Sequence, residues 1–313
     1  MDTAAIRAKR SELPASDSDS SLRERVQFAV MALIWGTTWI AIKAGVTAVP
    51  PLLFAGTRFV AAGLLLLAGQ ALWGGLRPVP REDWPRLAAV ALLVITATYA
   101  LLFWGMQNVP SGLAGVINLA LMPVALLGLG VAHGEERFRM SFVLAVAVGL
   151  VGLLVLFAPS LQVSSSPLLR WGLGAIVLAT LAYAWGSVLN RRLLRRYGTV
   201  QLSGVQTLLG GVVLCAMAGV HGDFAPEVWR AFLSLPVLAG WLYLVLGGSL
   251  VAFTLYMHLV HAWSAARAGL YAFVSPVVAL AAGALVYGEP LTRGNVLGSA
   301  LVLAGAWLAL RRD

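Results

Sequence analysis

Acidic side chains are scarce in this chain. The 313 residues hold 13 Asp and Glu against 22 Lys and Arg, and no acid falls in the central part of any long apolar stretch. A proton-coupling carboxylate at membrane depth is therefore not expected. Cysteine is nearly absent as well. The single Cys215 sits inside an apolar run, which excludes a disulfide framework and a thiolate metal cluster. Only four histidines occur, two of them at segment ends, so neither a metal nor another cofactor is expected. Charged residues make up just 11% of the chain, too few to cover a soluble domain of this size.

Apolar sequence is what remains. Hydrophobic residues reach 60% and the mean hydropathy is +0.86. Ten apolar segments follow one another, at 28–47, 52–73, 87–106, 112–132, 141–158, 171–190, 200–220, 237–260, 268–287 and 294–310. Crossing a hydrocarbon core of roughly 30 Å takes about 20 helical residues, and these runs lack the alternation of a membrane barrel. The expected fold is an all-α integral membrane protein with ten transmembrane helices. Residues 1–27, polar and rich in Ser, Asp and Arg, read as a disordered cytoplasmic tail and not as a signal peptide.

The net charge of +9 could suggest nucleic acid, but the cations sit in short loops between apolar runs. With the N-terminus inside, Arg77, Arg81, Arg86, Arg137, Arg139, Arg191, Arg192, Arg195, Arg196, Arg267, Arg311 and Arg312 join the N-terminal cations on the inner side. Arg170, Arg230 and Arg293 lie outside. This bias predicts a multi-pass protein of a bacterial inner membrane with both termini cytoplasmic, and no nucleic-acid partner.

The chain also repeats itself. Sliding it by 153 positions lays Pro123 on Pro276, Glu136 on Glu289, Val143 on Val296, Leu150 on Leu303 and Gly152 on Gly305. Trp35-Gly36-Thr37 is echoed by Trp185-Gly186-Ser187 at an offset of 150. The expected repeats are 28–158 and 171–310. Five helices per repeat is an odd number, so the second copy must stand upside down relative to the first. Inverted repeats related by an in-plane pseudo-two-fold axis are a recurring plan of secondary transporters, with the substrate site between the halves.

Several motifs carry a resemblance: Leu33-Ile-Trp-Gly-Thr-Thr-Trp-Ile-Ala-Ile-Lys43, Gly56-Thr-Arg-Phe59, Leu121-Met-Pro-Val124 with Gly134-Glu-Glu136, Glu289-Pro-Leu291, and Leu297-Gly-Ser-Ala-Leu-Val-Leu-Ala-Gly305. From about residue 28 to 310 the chain resembles the ten-helix drug/metabolite transporter superfamily, in its form with two EamA domains. The resemblance implies a membrane carrier of small metabolites, commonly an exporter of amino acids or related compounds. It also implies a central cavity lined mainly by helices 1, 3, 4, 6, 8 and 9.

On those helices the candidate cavity residues are Trp35, Thr38, Trp39, Tyr99, Trp104, Asn118, Trp185, Asn190, Tyr256, His258 and Tyr271. The aromatics offer flat apolar area with a polar handle, as an amphiphilic solute needs. Interfacial belts and helix-to-helix hydrogen bonds are the competing readings. Arg58 and Lys43 either snorkel to the outer interface or line an outer vestibule that attracts a carboxylate. Pro123 and Pro276 are expected to kink their helices. Glu136 and Glu289 are expected to anchor the starts of helices 5 and 10. The small-residue ridges Ala145-xxx-Gly149, Gly294-xxx-Gly298 and Ala300-xxx-Ala304 read as packing surfaces within the bundle or between subunits.

The expected activity is secondary transport, with efflux of amino acids or related metabolites by alternating access. The partners are then a small solute and the bilayer, and the chain is expected to act as a monomer, with a dimer as the alternative. A drug or other metabolite carrier of the same fold, or a non-transporting scaffold or receptor, is the competing function. An intramembrane enzyme is not expected, because Gly248-Ser249 and His258 have no supporting constellation.

Overall fold

The computed structural model describes residues 17–109, 111–158, 167–287 and 291–311. Ten spans cross it: α1 (Leu22–Val46), α2 (Pro51–Trp73), α3 (Arg81–Asn108), α4 (Leu113–Ala132), α5 (Met140–Phe157), α6 (Pro167–Tyr197), α7 (Thr199–Val220), α8 (Leu235–Ala262), α9 (Ala265–Leu285) and α10 (Arg293–Leu310). Each is long and apolar enough to cross a membrane. Glu289 lies outside the described residues, as do the side chains of Trp39 and Lys43.

Several boundaries move relative to the sequence reading, two of them for a packing reason that is visible. Helix starts at Asp17, inside the stretch expected to be a tail. Phe28 packs on Trp263 with ring centroids 5.7 Å apart, and Trp263 Nε1 donates to the Glu24 carboxylate, which ties down the N-terminal part of the helix. Helix α6 continues beyond Asn190 to Tyr197, because Leu193, Leu194 and Tyr197 are buried while Arg195 and Arg196 favour the negative helix end. A short helix, Pro226–Phe232, was not legible in the sequence. It inserts Phe232 between Phe54 and Trp241.

The packing follows the repeat. Helices α2 and α5 each lie most closely on their own repeat mates, α7 and α10. Helix α3 packs on α6 and its counterpart α8 packs on α1; likewise α4 packs on α6 and its counterpart α9 on α1. These pairings are what a two-fold axis between inverted five-helix repeats generates. Glycine makes the closest of them. A Cβ on Gly305 would lie 2.5 Å from the Gly149 backbone nitrogen, and one on its mate Gly152 would lie 2.5 Å from that of Val302. The expected ridges Ala145-xxx-Gly149 and Gly298 are used in this α5–α10 contact, whereas Ala300 and Ala304 face outward.

Both α4 and α9 run through their prolines, Pro123 and Pro276. Two other helices depart from the regular ladder. Helix α3 widens to a π-helix over Leu92–Ala97 and α8 does so over Leu244–Phe253. The two widened turns occupy matching places in the two repeats. A π-turn lengthens the ladder by one residue, so backbone groups lose regular partners. Thr98 Oγ1 donates to the Leu93 carbonyl at 2.7 Å, and Trp35 Nε1 donates to the Gly248 carbonyl at 3.1 Å.

Candidate functional site

A cavity of about 150 Å³ sits between the repeats. Its wall begins with Trp35, Thr38 and Ile42 of α1 and with Arg58 and Phe59 of α2. Helix α3 adds Tyr99, Leu102, Phe103 and Met106, and α4 adds Asn118, Leu119 and Met122. Opposite them stand Thr180 and Tyr183 of α6, Gly248, Ser249 and Phe253 of α8, and Tyr271 and Ser275 of α9. Both π-segments open onto the cavity, that of α3 through Val94 and Ile95 and that of α8 through Gly248, Ser249 and Phe253.

The repeat explains part of this wall. Asn118 is the mate of Tyr271, and Met122 the mate of Ser275, at the same offset of 153. Each pair lies just ahead of its proline. The residues preceding the duplicated prolines, and not the prolines themselves, face the space. Ile42, Leu102 and Met106 stand near the ends of α1 and α3 that lie away from the arginine-rich end, and among the described residues no lining residue reaches that arginine-rich end.

Aromatic rings build the floor. Trp35 meets Tyr271 edge to face at a 4.4 Å centroid distance and Tyr256 at 5.4 Å. Phe59 meets Tyr99 at 4.8 Å, and Tyr99 meets Phe103 at 5.7 Å. Such tilted pairs hold a flat wall rigid at little entropic cost. Tyr256 lies behind this layer, fully buried, with its hydroxyl on Ser187 Oγ at 3.0 Å.

Of the expected residues, Trp35, Thr38, Arg58, Tyr99, Asn118 and Tyr271 come together on the wall. Others do not. Trp104 and Trp185 are each 46% exposed on the outer surface of the bundle, and Trp185 Nε1 points to His133 Nε2 at 3.3 Å. His258 is half-buried and off the wall. Asn190 is buried and spent on packing: its amide exchanges hydrogen bonds with Gln206 at 3.3 and 2.6 Å and reaches Met257 Sδ at 2.9 Å. This amide pair ties α6 to α7. Asn190→Leu leaves the Gln206 amide unpaired at depth, and should lower stability by about 1–2 kcal/mol, read as a falling melting temperature in detergent. Arg58 does not snorkel to the interface; it is 5% exposed.

The arginine-rich end is closed by polar contacts between the repeats. Glu135, in the α4–α5 connection, sits 3.1 Å from Arg191 Nη1, 3.7 Å from Arg192 Nε and 4.0 Å from Arg195 Nη2. Arg191 also donates to the carbonyls of Glu135 and Trp263, at 2.8 and 3.3 Å. On the other flank, Asp83 holds Arg196 at 2.8 Å and accepts from the Tyr197 hydroxyl. The duplicated Pro-to-Glu spacing singles out Glu136, yet its neighbour Glu135 is the ion-pair hub. Glu136 does not cap α5, whose start carries no side-chain cap. Its backbone N–H instead bonds the Gly130 carbonyl and helps end α4, while its Oε1 is buried without a partner.

Two segments of the chain, residues 26–158 and 170–311, each match the model of the EamA-like transporter family. The chain belongs to that family. Two EamA segments, ten spans and an inverted arrangement agree. The inner membrane transporter YedA of Escherichia coli is 34% identical over 265 residues, covering 83% of this chain and 82% of YedA. Protein PecM of Dickeya dadantii is 28% identical, covering 87% of this chain and 86% of PecM. A Salmonella typhimurium protein named "Probable amino-acid metabolite efflux pump" is 24% identical over 89% of this chain and 92% of that protein. A solved crystal structure shares the fold at a TM-score of 0.77 and 22% identity, covering 92% of this chain and 96% of that one. This EamA protein is a membrane transporter, and not an enzyme. Among the described residues no group of His, Cys, Asp and Glu is placed to hold a metal.

Proposed function

We propose that this EamA protein moves small amphiphilic metabolites, amino acids or related compounds, outward across the inner membrane by alternating access. The observation that carries the reading is the aromatic cavity between two inverted repeats, combined with a closed arginine-rich end. A rocking of one repeat against the other would break the Glu135–Arg191 contacts and expose the same wall to the opposite side. The positive-inside bias supports the reading in which both termini, and the closed end, face the cytoplasm. The substrate wall comprises Trp35, Thr38, Arg58, Tyr99, Asn118 and Tyr271, joined by Tyr183, Ser249 and Ser275. The efflux direction and the substrate class are supported by the name of the Salmonella relative. A carrier of drugs or other metabolites on the same fold is the competing reading.

No Asp or Glu stands on the cavity wall among the described residues, so nothing there offers a carboxylate to carry a proton. Counterflow of preloaded solute in proteoliposomes should therefore run at the same rate, within about twofold, with and without a pH gradient. A strict requirement for the gradient would overturn the uncoupled mechanism. Absence of counterflow for every amino acid and every related carboxylate tried would overturn transport of this class.

A further inference from the structure

Among the described residues, the cavity wall carries one charge and no counter-charge. Arg58 is 5% exposed and stands on the wall at membrane depth. A guanidinium keeps its proton there, so the charge cannot be shed. Other arginines pair with Glu135, Glu82 and Asp83, but among the described residues no carboxylate lies within ion-pair distance of Arg58. Its Nε donor has no hydrogen-bond partner. The side chain rests instead on two rings, 4.3 Å from the centroid of Phe59 and 5.2 Å from that of Tyr99. Those contacts return less than a buried cation loses on leaving water.

Two more buried polar groups lack partners on the same wall, the Tyr183 hydroxyl from α6 and the Ser275 hydroxyl from α9. Three unsatisfied groups on separate helices thus surround one space. Buried polar atoms are ordinarily paired, so this concentration marks a place where a ligand supplies the missing acceptors. The absence of an acid from the described wall sets the sign. The site complements an anion and has no counter-charge for an ammonium. Its volume matches a cavity known to admit a single benzene ring.

We propose that the solute is a one-ring aromatic or similarly compact carboxylate without a free ammonium group, with its carboxylate on Arg58 and its ring against Trp35 and Tyr271. This rests on the carrier reading above and narrows its substrates to the related carboxylates, setting aside the amino acids themselves. Tyr183 and Ser275 take the remaining polar groups, such as a 2-oxo or 2-hydroxy oxygen. Arg58 is then a specificity-determining residue: with a carboxylate in place, the occluded cavity is electrically neutral. An unloaded cavity would have to close around a bare guanidinium. Exchange of one carboxylate for another should therefore outrun net release.

The test compares three one-ring probes, phenylpyruvate (an anion), phenylalanine (a zwitterion) and phenethylamine (a cation), by calorimetric titration of the purified full chain. Counterflow of the same three is measured in proteoliposomes. Phenylpyruvate should bind at least tenfold more tightly than phenylalanine, with no binding of phenethylamine. Arg58→Gln should lose at least tenfold in phenylpyruvate affinity, and Arg58→Lys should recover part of it. Because Arg58→Gln removes an uncompensated charge, its melting temperature without ligand should equal or exceed that of the parent. A purely structural arginine would give the opposite shift. Phenylalanine binding as tightly as phenylpyruvate, or affinity untouched by either substitution, overturns the proposal. Amino-acid counterflow indifferent to Arg58→Gln sinks it while leaving the carrier reading intact. Phenylpyruvate binding that depends on Arg58, without counterflow of any probe, would instead overturn the carrier reading and the ligand's role as transported solute, and leave only the anion site at Arg58.

Discussion

Leucine in place of Gly305 should separate α5 from α10 and cost the protein most of its folded yield. The glycine is not needed for an unusual backbone angle, since it lies within a regular helix. Its role is approach. A Cβ there would meet the Gly149 nitrogen at 2.5 Å, the Gly149 Cα at 2.7 Å and the Ala145 carbonyl oxygen at 2.8 Å. All are main-chain or Cα atoms of a packed helix, so none can swing away as a side-chain tip would. In lipid there is little hydrophobic force to press the helices back together, and association depends on close packing. Overpacking in cores costs about 1–3 kcal/mol when side chains can shift, and backbone collision belongs at or above the top of that range. Gly305→Ala should show a smaller loss in the same direction. Ala304→Leu, on the outward face, should leave melting temperature and yield unchanged. The measurement is melting in detergent followed by size-exclusion chromatography. An unaltered Gly305→Leu protein would mean that the α5–α10 contact does not hold as described.

The second large effect concerns the closed end. Glu135→Gln should release the α4–α5 connection from α6 and populate the form open at the arginine-rich end. Both partners are largely shielded, with side-chain exposures of 18% for Arg191 and 16% for Glu135. Screening is therefore weaker than for a surface pair, whereas Arg192 and Arg195 are 63% exposed and add little. Removing the carboxylate charge leaves three arginines facing one another around an amide. A charge-assisted hydrogen bond in this setting is worth about 1.5–3 kcal/mol, which is roughly a 10- to 100-fold change in the ratio of closed to open forms. Ala266, buried at 1% near this end, provides the probe. In a Cys215→Ala background, Ala266→Cys should react with an impermeant maleimide at least tenfold faster once Glu135→Gln is added. Equal labelling rates, with unchanged counterflow, would remove Glu135 from the closing device.

Several features of this protein were already fixed by the linear chain. Composition and segment length fix ten spans, because backbone polar groups in lipid must be satisfied within a helix. The 153-residue offset, with five spans per copy, fixes the inversion, since an odd number of crossings reverses direction. Asn118 and Tyr271 are legible in the sequence only as polar and aromatic residues on the helices the resemblance puts around the cavity; the structure shows these two repeat mates on one wall, where symmetry mates face a common axis. Other features needed the tertiary structure. Helical periodicity says which residues share a face but not what that face meets, so Trp104 and Trp185 looked the same as Trp35 and turned outward. Asn190 looked like a substrate contact until Gln206, on the next helix, took its amide. The π-segments of α3 and α8 carry only faint sequence signals, such as the Gly247-Gly248-Ser249 run, because the cost of widening a turn is repaid by neighbours and not locally. Arg58 is the clearest case. Counted along its helix it stands near an end and within reach of water; only packing against Phe59 and Tyr99 turns it inward and leaves its charge unanswered. A residue's distance from a helix end limits where its side chain can go, and the surrounding helices decide whether water is there to meet it.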